Sequence, residues 1–137
     1  MNLVLDASVA AKWFMPEEGS PAALSLLEEG HRFCAPDILP LEVTSAVLRK
    51  ERKQEVPPGR GQQALIELDL IGLDLSPHAG LLRRAAELSA RHRHALCDCL
   101  YLVLARDLNL PFATFDRPLA ALAERLGISL CPLDTAP

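Results

Sequence analysis

Leu3-Val4-Leu5-Asp6-Ala7-Ser8-Val9-Ala10-Ala11 decides the fold of this chain. The apolar run Leu3-Val4-Leu5 reads as a buried β-strand, and the small residues after Asp6 read as the start of a helix. In an open α/β sheet, ligands collect beyond the carboxyl ends of the strands. Asp6 therefore stands where chemistry usually happens.

The same alternation continues along the chain. The first helix is expected to run to Met15, where Pro16-Glu17-Glu18-Gly19 breaks it. Ser20-Pro21 opens a helix that ends at Gly30, in keeping with serine at an N-cap, proline in the first turn and glycine after the last. A strand over 31–35 follows, then a helix from Pro36-Asp37 to Gln54 with a basic tail. Further helices are expected over 60–70, from Ser76-Pro77 to Arg91, over 95–108, and from Asp116 to Gly127. Strands are expected over 72–75, 111–114 and 128–131, ahead of a proline-containing tail. Strands alternating with helices imply a single α/β domain over 1–137. It would be a three-layer sandwich with a mostly parallel sheet of four to five strands and helices on both faces.

Composition narrows the function. Of 137 residues half are hydrophobic, so a core can form and global disorder is excluded. A net charge of −4 argues against a broad basic coat, although a local patch or bound cations can still hold phosphates. The four cysteines, Cys34, Cys97, Cys99 and Cys131, lack zinc-site spacing and read as buried free thiols in a reducing compartment. No basic leader precedes the first apolar run, and no stretch reaches the roughly 18 to 20 apolar residues that cross a bilayer. A cytoplasmic location without membrane contact is the expectation.

Four acids stand in conspicuous places. Asp98 is the only charge in Ala95–Ala105, a segment apolar nearly all round and therefore buried as a helix. A buried carboxylate must be paired, protonated or bound to a cation. Glu42 has Ile38, Leu39 and Ala46 as helical neighbours, which puts it in or beside the apolar stripe. Asp116, like Asp6, follows a strand and starts a helix. Each has an ordinary alternative as a cap or a surface group. Together, two strand ends and two first turns can face one pocket, where like charges repel unless a divalent cation or a proton intervenes. Hard carboxylate oxygens select Mg²⁺ or Mn²⁺. Metal-assisted hydrolysis of a phosphodiester suits that set best.

The segments 3–14, 36–43, 95–106 and 113–119 together resemble PIN-domain proteins, specifically the VapC-type toxin ribonucleases of toxin–antitoxin pairs. The resemblance spans nearly the whole chain and keeps the acids in family order. It implies a metal-dependent endoribonuclease, the toxin of a type II pair, with Asp6, Glu42, Asp98 and Asp116 around Mg²⁺ or Mn²⁺. Ser8 and Thr114 would support the acids with hydroxyls. A homodimer and a small VapB-type antitoxin are implied as partners, and RNA as substrate. Candidate RNA contacts are Lys12, Arg49, Lys50, Arg52, Lys53 and Arg117, which would meet phosphates without reading sequence.

Other residues have plainer readings. Trp13 reads as a core or dimer-interface residue more readily than as a base-stacking platform. His92 and His94 read as a polar connector, with no general-base role. The alternatives to a toxin are a catalytically weak binding module on the same fold and a housekeeping RNA-processing nuclease without an antitoxin. An aspartyl-phosphate domain would want an acid where Ser8 stands and a lysine after a late strand, which the chain lacks.

Overall fold

The computed structural model describes residues 1–133. Its centre is a four-stranded parallel sheet built from β1 (Asn2–Leu5), β2 (Arg32–Pro36), β3 (Asp74–Ser76) and β4 (Phe112–Ala113), in the order β3-β2-β1-β4. β1 is an interior strand of a parallel sheet covered by helices, which is why Leu3, Val4 and Leu5 are all fully buried instead of alternating. β3 is an edge strand, and its Asp74 and Leu75 are exposed. Among the described residues, seven α-helices flank the sheet: α1 (Ala7–Ala10), α2 (Ser20–Glu28), α3 (Leu39–Arg52), α4 (Arg60–Ile71), α5 (Leu82–His92), α6 (Leu96–Leu108) and α7 (Arg117–Arg125).

The helices follow from their side chains. Cys99 to Ala105 of α6 are all buried, as an all-round apolar helix must be; α6 packs on β1 and β2 and is covered by α5. On α3 the buried set is Leu39, Val43 and Val47, a one-turn repeat that leaves the basic end Arg49–Arg52 outside the core. α6 ends on Asn109 and α5 on Arg93, both in the left-handed conformation (φ 52°). Asn tolerates that geometry; at Arg93 it is a less common cap that turns the chain sharply into α6.

Trp13 belongs to the core. It is buried against Phe33 with its indole N–H donating to the Ala23 carbonyl at 2.8 Å. All four cysteines are free thiols; Cys34, Cys99 and Cys131 are buried as expected, whereas Cys97, in the first turn of α6, is exposed. No described helix is long and apolar enough to cross a membrane.

Three expected elements differ. The strand over 128–131 reduces to a single bridge between Phe112 and Leu130, because only two hydrogen bonds, Phe112 N–H to Ser129 O and Cys131 N–H to Phe112 O, tie it to β4. α1 gives way after one turn to a 3₁₀ turn over Ala11–Trp13. The helix expected at Ser76-Pro77 starts at Leu82, after a 3₁₀ turn over His78–Gly80 whose first N–H is held by the Asp37 carboxylate. The proline-containing tail is described to Leu133, and 134–137 lie outside the described residues.

Candidate active site

The β1–β4 register builds the first half of the site. Leu5 pairs with Ala113, so Asp6 and Thr114 leave the sheet side by side at its carboxyl edge. The Asp6 N–H donates to the Ala113 carbonyl at 3.3 Å. Asp6 caps α1, accepting from the Val9 N–H. Its Oδ1 also accepts from the Ser8 hydroxyl at 2.6 Å, and its Oδ2 accepts from the Thr114 hydroxyl at 2.5 Å. Those hydroxyls in turn accept from the N–H groups of Phe115 and Asp116. Ser8 and Thr114 thus hold the two oxygens of Asp6. Asp116 starts α7 and caps it through the Leu119 N–H at 3.0 Å.

The second half comes from two helix starts. Glu42 projects from the first turn of α3 and Asp98 from the first turn of α6. The Tyr101 hydroxyl donates to Glu42 Oε1 at 2.6 Å. His94 Nε2 lies 2.9 Å from Asp98 Oδ2. Among the described residues, the second oxygens of Glu42, Asp98 and Asp116 have no hydrogen-bond partner.

Burial and mutual repulsion leave their mark on these carboxyls. Asp6 is pushed up to about 6, chiefly by burial and further by the charge of Asp98, against the opposing pull of the two hydroxyls. Burial raises Glu42 as well, with Asp98 adding to it and the Tyr101 bond opposing. Asp98 rises for the same first reason, eased by His94 and reinforced by Asp116. Asp98 is therefore the acid that feels or influences the other three. The four carboxylates share one electrostatic neighbourhood, although among the described residues no three acidic, histidine or cysteine side chains close around a single point as a metal cage.

A groove of about 610 Å³ opens beside Glu42 and Ser8. Lys12, Arg49, Lys50 and Lys53 line it, and Leu41 and Ala46 supply apolar wall. Lys12 is paired with Glu17 at 2.8 Å and Lys50 with Glu55 at 2.9 Å, whereas Arg49 and Lys53 have no carboxylate partner among the described residues. Arg52 and Arg117, the other two basic candidates, do not line this groove.

Two residues were not legible as site residues. His94 faces Asp98 from one turn before it, a spacing of four visible in the sequence once α6 is placed. Tyr101 meets Glu42 across 59 positions, and a tyrosine in an apolar helix carries no signal of such a bond.

The chain matches the profile of the PIN domain over residues 3–126. It is 28% identical over 122 residues to a protein named Ribonuclease VapC3 from Pyrobaculum aerophilum, covering 88% of this chain and 93% of that one. Its fold is similar to a chain in the crystal structure of FitAcB from Neisseria gonorrhoeae, with a TM-score of 0.55 and 19% identity over 96% of this chain and 97% of that one. With the profile spanning nearly all of the described sheet and helices, the chain belongs to the PIN domain family.

Proposed function

We propose that this single-domain chain is a metal-dependent endoribonuclease and the toxin member of a type II toxin–antitoxin pair. The observation that carries the reading is that Asp6 and Asp116 stand just past the ends of β1 and β4 and Glu42 and Asp98 in the first turns of α3 and α6, with Asp98 raising Asp6 and Glu42 and itself raised by Asp116. The similarity to a protein named as a ribonuclease supports the choice of RNA. A small VapB-type antitoxin, a homodimer and a cytoplasmic setting complete the proposal.

The donor set fits Mg²⁺ or Mn²⁺: it is all carboxylate oxygen, and three of the acids keep one oxygen free of hydrogen bonds. Asp6, Glu42, Asp98 and Asp116 would hold the ion. Such an ion supplies an activated water and neutralises charge on the phosphate and the leaving oxygen. The protein's own part is positional. Ser8 and Thr114 hold Asp6, His94 holds Asp98, and the basic groove holds phosphates next to them. Incubating the protein with a panel of RNAs and Mg²⁺ or Mn²⁺ tests the reading, and internal cleavage that stops on chelation is expected.

The groove makes a separate prediction. Arg49→Ala with Lys53→Ala weakens binding to all single-stranded RNAs alike and flattens the log–log salt dependence by about 0.7 per charge removed. Fluorescence anisotropy on an uncleaving Asp98→Asn background measures it. An unchanged salt slope places the RNA elsewhere.

A further inference from the structure

Tyr101 lies one turn after Asp98 on α6 and is 1% exposed, its ring packed near Phe112. At that depth its hydroxyl cannot turn to solvent. Its one hydrogen bond among the described residues is the donation to Glu42 Oε1 at 2.6 Å. Buried polar groups are strongly held to their partners, because leaving one unmade is far costlier than the bond is strengthening. Were Glu42 to turn both oxygens toward a cation, this hydroxyl would share or lose its acceptor. The bond therefore favours the arrangement in which Oε1 stays with Tyr101 and only Oε2 is left for a cation.

Cations differ in what they ask of a carboxylate. Mg²⁺ keeps a strict octahedron, takes carboxylates through single oxygens and retains waters, whereas Ca²⁺ accepts six to eight oxygens and readily takes both oxygens of one carboxylate. We infer that Tyr101 is a positioning residue that limits Glu42 to one cation-facing oxygen and so tilts the site toward Mg²⁺ or Mn²⁺ and against Ca²⁺. This deepens the metal-dependent reading above and rests on it. The role belongs to the hydroxyl alone, since phenylalanine would fill the same space between α6 and β4.

Calorimetric titration of RNA-free protein with Mn²⁺ and with Ca²⁺, in wild type and Tyr101→Phe, tests it. The expected result is a fall of roughly threefold to tenfold in the ratio of the Ca²⁺ to the Mn²⁺ dissociation constant, the size of one hydrogen bond. Equal changes for both ions mark a merely structural tyrosine and overturn the inference, as does wild type that binds neither ion.

Tyr101 is also the chain's only tyrosine, so fluorotyrosine labelling gives a single ¹⁹F resonance at this hydroxyl. Ca²⁺ is expected to move that resonance further than Mg²⁺ does, and equal displacement overturns the inference without any variant having to fold. Cleavage of RNA is scored independently. Loss of cleavage in Asp98→Asn with an unchanged ion ratio in Tyr101→Phe removes only the selectivity role. Undiminished cleavage in Asp98→Asn removes the underlying reading too.

Discussion

Asp98→Asn reduces RNA cleavage by roughly a thousandfold, the scale seen when one prearranged polar group is removed from a reacting centre. Asp98 is the position of choice because it couples to each of the other acids: it raises Asp6 and Glu42 and is itself raised by Asp116. Asparagine keeps the shape and can still meet His94, while losing the negative charge. The fold should tolerate the change, since Asp98 is only partly buried at the start of α6. Asp6→Asn should be equally inactive but is harder to interpret. Its amide would turn N–H groups toward a hydroxyl that now donates to the carboxylate. The measurement is cleavage of the RNA panel beside wild type at matched melting temperature. Equal rates would sink the assignment of the acids.

The second large effect is on stability in chelator. Asp6 has an ordinary value of 3.8 and is raised to about 6 in the fold, so between those pH values the native state binds more protons than the unfolded chain. Stability must then fall as pH rises through this window, with the loss complete above it. At 1.36 kcal/mol per unit, Asp6 alone accounts for about 3 kcal/mol. Glu42 and Asp98 are raised in the same sense and steepen the fall. Urea unfolding at pH 4.5 and pH 7.5 in EDTA, for wild type and Asp6→Asn, isolates the contribution. The variant is expected to lose the dependence that belongs to this carboxyl. Adding Mn²⁺ at neutral pH should restore stability by about 2.7 kcal/mol at a hundredfold excess over its dissociation constant. Parallel pH profiles for the two proteins would mean that ionising Asp6 carries no penalty.

Asp6 and Asp116 were readable because a β-strand followed by an acid and a helix leaves a local trace, and Glu42 and Asp98 because an acid stands out in an apolar stripe. The parallel sheet followed from the same alternation. What local pattern could not convey was any bond between distant elements. His94 belongs with Asp98 only once Arg93 adopts its left-handed turn, and Ser89 holds that turn by donating its hydroxyl to the His94 carbonyl at 2.6 Å. The Tyr101 hydroxyl finds Glu42 only once the fold brings positions 42 and 101 together from separate helices. Likewise, 128–131 has the composition of a strand, but it gains too few ladder bonds beside the two-residue β4 to become one.

β1, an interior strand of the sheet, is also the first of the four along the chain, while the partner that supplies Thr114 and leads into Asp116 is made more than a hundred residues later. During translation, Asp6 leaves the ribosome long before the neighbour that orients it exists. The Asp6–Thr114 arrangement therefore forms only once the chain has been made through β4.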